Sequence, residues 1–326
     1  MAASIPETLN LERLNLLNLR PYIYIIGIAS QLAAQPASDW TEFLADPTLS
    51  RGVELLAPRA QQARGVKLDT LRLADGQGAP RWHLCQWNFR QPLQRGATPT
   101  PGRFGQTYQT PSLLFARDAE GVITLGVQAG EEYASPRKQG QEWPNLLIET
   151  TFDSLRLSRL SQLEMQFEVR LLWCRNLMSG QVSPDIHTAQ SPFYFLLRNR
   201  NPQSQDYKST LWLGVFGFDW RYDRLFSEPI VSWDEGTRMY IYQIPGTETW
   251  QEQDSPFTDG LWHHAHVDVL TCLRQALDHL RGRGLFAHTR PEDLQIEEMN
   301  FGWETPGTFD CAIQIRGLSL RGQQLP

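Results

Sequence analysis

Between residues 165 and 173 the chain alternates with a period of two. Met165, Phe167, Val169, Leu171 and Trp173 are apolar, and Gln166, Glu168 and Arg170 between them are polar. Successive side chains of an extended strand point to opposite faces, so this run places its apolar groups on one face and a Gln-Glu-Arg row on the other. Such a strand is stable only when a second layer covers its apolar face. The signature recurs: Ile123, Leu125 and Val127 alternate with Thr124 and Gly126. Further strand candidates at 81–89, 192–200, 210–218, 238–244, 262–267 and 308–320 are separated by Gly, Pro, Asn and Asp clusters. From Val66 onward the pattern is all-β rather than βαβ and predicts a sandwich.

One helix interrupts the strands. Val269, Leu270, Leu273, Ala276, Leu277 and Leu280 recur at three- and four-residue spacing, with Asp268 placed to cap and Gly282 or Gly284 to stop. Its apolar stripe is expected to pack beside the sandwich. The segments 201–209 and 245–260 read as loops over a sheet edge. The first 60 residues are mixed and Leu-rich, with Ser38 or Asp39 a candidate cap before 40–44. They read as an N-terminal extension wrapped on a β-sandwich domain of residues 61–326. Sandwiches of roughly 200–250 residues form single domains, so length alone does not demand a second.

The chain is 41% apolar and 20% charged, which excludes disordered and low-complexity classes. A net charge of -6 offers no general attraction for a polyanion, and the strongest basic pair, Arg281 and Arg283, reads as favourable charge at a helix C-terminus. No nucleic-acid partner is expected. The apolar run 22–29 is too short to span a bilayer, so no membrane span is expected either. The Met1 segment lacks a basic n-region and a small-residue cleavage site, which leaves compartment open: secreted or periplasmic if a signal peptide was removed, otherwise cytoplasmic. Cys85, Cys174, Cys272 and Cys311 form no CxxC pair and fit reduced thiols as well as one or two bridges.

Eleven Trp and nine Tyr are the compositional oddity. Aromatic rings fill cores, and they also form flat platforms on which the axial C–H groups of sugars stack. Four segments matter together: Trp143-Pro144-Asn145-Leu146-Leu147-Ile148-Glu149; His187-Thr188-Ala189-Gln190 leading into Phe193-Tyr194-Phe195; Trp212-Leu213-Gly214 through Asp219-Trp220-Arg221; and Gly302-Trp303-Glu304 through Gly307-Thr308-Phe309-Asp310. Across residues 81–320 they resemble a bacterial group, without an assigned activity, that has a concanavalin A-like lectin/glucanase sandwich. The resemblance implies a jelly-roll β-sandwich with one peripheral helix, whose concave sheet forms a groove for oligosaccharides. A fold hosts many functions, so the resemblance by itself assigns no activity.

Glycoside hydrolysis needs two carboxyl groups facing across the scissile bond. Glu149, Glu168, Asp185, Asp219, Asp223, Asp234 and Glu304 are available, but the Glu-x-Asp-x-x-Glu strand of one glucanase family on this fold is absent. A second resemblance is to alginate-lyase-type sandwiches. Glu168-Val169-Arg170 resembles their strand ending in Glu-Leu-Arg, His187-Thr188-Ala189-Gln190 their Gln-x-His, and Tyr240-Ile241-Tyr242-Gln243 their Tyr-rich strand. Here His precedes Gln at a spacing of three, so on a strand the two would face opposite ways. Asn199 shares a side with Phe193, Phe195 and Leu197, whereas Arg198 faces the other way with Tyr194, so at most one row can line a groove.

In Trp262-His263-His264-Ala265-His266, His264 and His266 share a strand face and Asp268 could follow, a weak metal pattern that needs a third or fourth ligand. No Gly-x-Ser-x-Gly elbow or phosphate loop occurs, and Gly282-Arg283-Gly284 follows a helix where a dinucleotide site requires a strand.

The expectation is therefore a carbohydrate-binding or carbohydrate-active protein with a polysaccharide or oligosaccharide partner. Its catalytic candidates are His187, Gln190, Arg170, Tyr240, Tyr242 and Glu304, and its ligand-binding candidates are Asn199, Arg198, Trp212, Asp219, Arg221 and Trp303. No metal ligand is assigned; structural calcium is the one cofactor considered. The alternatives are a polysaccharide lyase or glycoside hydrolase on this fold, and a non-catalytic structural or protein-interaction domain.

Overall fold

The computed structural model describes residues 40–58, 65–73, 76–180, 182–250 and 257–325. Its strands are β1 (Thr41–Glu42), β2 (Val53–Leu56), β3 (Lys67–Leu71), β4 (Trp82–Trp87), β5 (Thr100–Gly102), β6 (Gly105–Gln109), β7 (Leu113–Arg117), β8 (Ile123–Gln128), β9 (Asn145–Arg156), β10 (Leu160–Asn176), β11 (Gln190–Asn199), β12 (Thr210–Asp219), β13 (Ile230–Asp234), β14 (Met239–Gln243), β15 (His263–Asp268), β16 (Leu294–Glu304) and β17 (Phe309–Gln324). The helices are α1 (Ala129–Glu132) and α2 (Val269–Arg281).

An eight-stranded sheet runs β15-β10-β17-β8-β7-β6-β5, with β1 also paired to β17, and a nine-stranded sheet runs β13-β14-β12-β11-β16-β9-β4-β2-β3. Pairing is antiparallel except between β12 and β14 and between β2 and β4. The expected all-β jelly-roll sandwich is therefore the architecture found. Residues 41–42 and 53–56, which the sequence places in the extension, are strands of these sheets. The remainder of that segment through Asp39, with the candidate cap at Ser38 or Asp39, lies outside the described residues.

Alternation decides which side chains meet between the sheets. On β10, Met165, Phe167, Val169 and Leu171 are buried, and Glu164, Gln166, Glu168 and Arg170 are half-exposed. A register shift between Leu171 and Trp173 moves the fifth apolar residue to the outer face, where Trp173 lies 6.3 Å from the Phe104 ring. The core is aromatic at its centre. Phe167 of the eight-stranded sheet stacks on Phe193 of the nine-stranded sheet at 3.9 Å between centroids, and Phe193 stacks on Phe301 at 5.2 Å. Trp303 is wholly buried, and its indole N–H donates to the Leu125 carbonyl at 3.0 Å, tying β16 to β8 across the sandwich.

Helix α2 follows its sequence cues. The Asp268 carboxylate accepts from the Thr271 N–H at 3.0 Å, and Val269, Leu270, Cys272, Leu273, Ala276, Leu277 and Leu280 are buried. Gly282 ends the helix and Gly284 adopts φ +75°. The inward side chain Tyr242 of β14 meets His279 of α2 edge-on at 5.8 Å. The helix thus packs against β10 and β15 of the eight-stranded sheet and reaches Tyr242 of the nine-stranded one.

The Trp303 tie makes a measurable prediction. Trp303→Phe keeps an aromatic ring but removes the buried donor, and is expected to cost about 1–3 kcal/mol. Trp303→Ala is expected to cost about 3–5 kcal/mol through the cavity it leaves. Urea denaturation followed by intrinsic fluorescence should show both as lowered midpoints with the slope unchanged.

Candidate functional site

The outward-facing rows of the nine-stranded sheet follow from what its inner rows bury. On β11 the inner row is Phe193, Phe195, Leu197 and Asn199, all with no exposed surface, so Gln190, Tyr194 and Arg198 face out. Register then assembles neighbours distant in sequence. Gln190 stands opposite Glu304 of β16 and Asp219 of β12, Tyr194 stands between Gly214 and Asn300, and Asn300 is opposite Glu149 of β9. Trp212 lies beside Leu196 and Ile241.

A chain of polar contacts runs through one end of this face. The Thr188 hydroxyl donates to Asp219 at 2.7 Å, and Asp219 also accepts from the Arg221 backbone N–H and Nε–H, each at 3.0 Å. Arg221 Nη2 donates to Gln190 Oε1 at 3.2 Å, and Gln190 Nε2 donates to Glu304 Oε2 at 2.6 Å. Burial holds the Glu304 carboxyl above the usual carboxylate range; the Gln190 bond opposes that shift, and the charges of Asp234 and Asp219 add to it. Burial likewise pushes the Tyr194 hydroxyl well above its ordinary value, with Glu304, Asp219 and Asp234 reinforcing it. The bond to Asp219 raises the Arg221 guanidinium further above its usual range, so the pair is a fixed, neutralised unit.

Above this end is a cleft of about 340 Å³ bordered by Gln190, Tyr194, Phe218, Asp219, Arg221 and Gln243. Gly214 shapes its floor. A Cβ at that position would meet Gln243 Oε1 at 2.3 Å and Tyr194 Cε1 at 2.8 Å, so only glycine lets both side chains lie over β12. Tyr194 and Trp212 lean on each other at 5.9 Å between centroids.

The flanking loops are pinned by Arg137 and His187. Arg137 donates to the carbonyls of Pro306 at 2.9 Å, Gln141 at 2.9 Å and Ile186 at 2.6 Å, with its guanidinium 4.6 Å from the Trp143 ring centroid. His187 is buried; its Nδ1 accepts from the Ser183 N–H at 2.9 Å, and its Nε2–H donates to the Arg137 carbonyl at 2.7 Å. Both ring nitrogens are therefore occupied by backbone, which gives His187 the loop-holding role rather than a proton-transfer one.

The sequence candidates separate accordingly. Gln190, Glu304, Asp219 and Arg221 come together, with Trp212 on the same face. Arg170 does not join them. It lies on the outer face of the opposite sheet, bonded to Gln314 at 3.1 Å and placed over Trp262 at 4.7 Å, with the thickness of the sandwich between it and Gln190. Tyr240 and Tyr242 point inward, Tyr240 against Trp233 and Phe286 and Tyr242 toward α2, so the lyase-like grouping is dispersed. Trp303 is a core residue. Asn199 is also interior, donating to Ser204 at 3.0 Å and Thr289 at 3.1 Å to hold a loop. Arg198 faces out but is ion-paired to Glu297 at 2.8 Å, eight residues along β11 from Gln190, or roughly 26 Å.

Tyr194, Gln243 and Asn300 join the face without having been site candidates. The parity of β11 already placed Tyr194 opposite the buried phenylalanines, but which row is outward depends on the second sheet. His264 and His266 share a face as expected, yet His266 pairs with Glu164 at 3.3 Å and Asp268 caps α2. Among the described residues, no three His, Cys, Asp or Glu side chains converge as metal ligands, and no helix is long and apolar enough to cross a membrane.

No protein-family model matches the sequence, and no curated protein matches it. Among solved structures the chain is similar to endoglucanase Cel12A from Rhodothermus marinus, at 11% identity and TM-score 0.36, covering 68% of this chain and 92% of that one. It is similar to the native family 12 xyloglucanase from Bacillus licheniformis at 9% identity and TM-score 0.39, covering 70% and 99% respectively. The family 11 xylanase from Neocallimastix patriciarum gives 7% identity and TM-score 0.38, covering 67% and 90%. These likenesses are loose, and the fold assignment rests on the two sheets and their strand order.

Because the folded state raises the pKa of Glu304, the stabilisation from its protonated form is complete below the unfolded value of about 4.3 and lost as pH rises through the folded value. Glu304→Gln does not titrate there. It is expected to be more stable than the native chain near about pH 7, with the gap closing toward about pH 4. Thermal unfolding across that range checks the sign.

Proposed function

We propose that the outward face of the nine-stranded sheet binds a neutral glycan, with Tyr194 and Trp212 as ring contacts and Gln190, Glu304 and Gln243 as hydroxyl partners. The observation that carries the reading is the lining of one open cleft by the Tyr194 ring and the Gln190 and Gln243 amides, with Glu304 bonded to Gln190 and Trp212 leaning on Tyr194 farther along the face. Sugars present C–H faces to rings and hydroxyl groups to paired donors and acceptors. Side-chain amides and carboxyls supply both at one point.

Charge narrows the ligand class. Arg137 is committed to three carbonyls and a tryptophan, and Arg221 is neutralised by Asp219. Glu304 adds acid rather than base beside them. Among the described residues that line the cleft, a uronate carboxylate would meet no unneutralised cation, which favours an uncharged polysaccharide over a polyuronate.

A second reading, glycoside hydrolysis, is favoured by the raised pKa of Glu304, which suits a general acid. It needs a partner carboxylate. Asp219 is held by Arg221 and Thr188, and Asp234 accepts from Gly236 at 3.0 Å and from Thr237 at 3.2 Å. Both nearby acids thus serve their own loops, so recognition is the reading adopted.

Affinity electrophoresis and calorimetry against neutral β-glucans and xylans, beside alginate and polygalacturonate, test the proposal. Retention by neutral polymers is expected, with Trp212→Ala and Tyr194→Ala each weakening it at least about tenfold, roughly 1.4 kcal/mol, in chains whose circular dichroism is unchanged. Tighter binding of the polyuronates, or binding indifferent to both substitutions, would sink the assignment. Release of reducing ends that Glu304→Gln abolishes would establish the second reading.

A further inference from the structure

We infer that Cys174 and Cys311 are a cross-strand dithiol, poised to close into a disulfide between β10 and β17 when the folded chain meets a low-molecular-weight disulfide oxidant. The two residues are direct Cα partners in the antiparallel ladder. Directly opposed residues project from the same face of a sheet, with Cβ atoms about 4.5–5.5 Å apart, close to the span a disulfide requires. The register shift between Leu171 and Trp173 brings this about. It restores Cys174 to the inner side, where Cys311 lies among the core residues and Cys174 packs against them.

The chain's other two thiols are placed differently. Cys85 is buried with Leu56, Trp87 and Leu147 on β4 and neighbouring strands, and Cys272 is buried within α2. Neither has a cysteine as its strand partner in the described pairings.

Access is asymmetric. β15 pairs with β10 only from Glu164 to Val169, so beyond that point β10 has no β15 neighbour on that flank. Cys174 lies on this stretch and is half-exposed, whereas Cys311 is sealed between β10 and β8. Cys174 is the less buried of the two, and in the inferred closure it reacts first with the oxidant. Burial pushes its thiol up to about 12 and that of Cys311 well above its ordinary value, each the largest cause, with the neighbouring Cys174 charge adding to Cys311. Closure is accordingly slow at neutral pH and accelerates as pH rises.

The electron balance is that of thiol–disulfide exchange. The Cys174 thiolate attacks one sulfur of oxidised glutathione, forming a mixed disulfide and releasing one glutathione thiolate. The Cys311 thiolate then attacks the Cys174 sulfur and expels the second glutathione. Two protein thiols are oxidised, one glutathione disulfide is reduced to two thiols, and the protein loses two hydrogens.

The experiment incubates the native full-length protein with oxidised glutathione at mildly alkaline pH, quenches with acid, alkylates under denaturing conditions and maps peptides by mass. The expected result is a fall from four alkylated cysteines to two and a single Cys174–Cys311 linked peptide. Cys174→Ser and Cys311→Ser should each abolish the linked peptide, while Cys85→Ser leaves it. Recovery of four free thiols from the oxidised native chain, or a bridge joining any other pair, would overturn the inference. The native-chain map decides this even if Cys311→Ser fails to fold.

Discussion

The Phe167–Phe193–Phe301 stack, with the Trp303 tie beside it, is the contact on which the rest of the molecule depends. Side chains along a strand alternate with a period of two, so fixing one of them inward fixes every neighbour on that strand as inward or outward. With Phe193 against Phe167, Tyr194 faces out. With Phe301 and Trp303 buried, Asn300 and Glu304 face out beside it. The candidate site is thus the complement of the core, written on β11 and β16, which carry both, and completed by β12 and β14. A slip of one residue would bury the polar row and expose the phenylalanines together.

Both outer faces of the sandwich pair their charged residues, as Arg221 with Asp219 and Arg198 with Glu297 on the nine-stranded sheet show, but they differ in what lies between the pairs. On the eight-stranded sheet Glu168 pairs with Arg316, His266 with Glu164, and Trp262 has two guanidinium groups over its ring, Arg170 at 4.7 Å and Arg316 at 4.2 Å. Side-chain partners there complete one another. On the nine-stranded sheet the aromatic pair leans on itself, and the polar chain ends at Glu304, whose second carboxylate oxygen is not part of the Gln190 bond. The cleft itself is bordered by the Tyr194 ring and by the Gln190 and Gln243 amides, the groups that the proposed glycan would engage.

Much of the fold was legible where one face alone is buried. β10 and β8 alternate cleanly, and α2 carries its cap, stripe and stop. The strands β9 and β16, which frame the site, were not recognised. In β9, Leu146, Leu147 and Ile148 are all buried, because Leu147 packs outward against Leu56, Cys85 and Trp87 while its neighbours enter the main core. Burial on both faces erases the alternation. In β16 the register shifts between Ile296 and Glu298, so a period-two template falls out of phase at the shift.

The site was legible in part for a related reason. Gln190, Asp219, Arg221 and Glu304 all lie in aromatic-flanked segments, but their association is made by β11 lying between β12 and β16, a strand order that no local pattern encodes. The lyase-like grouping failed on parity. Tyr240 and Tyr242 share a face with each other and therefore share its fate, and β14 pairs in parallel with β12 such that Tyr242 stands beside the buried Leu213. Ile241 and Gln243 occupy the outward positions instead, and Gln243 reaches Tyr194 across Gly214 because that residue has no Cβ. The tyrosines look more like chemistry in the sequence, yet the parallel β12–β14 register assigns them to packing and gives the cleft its amide.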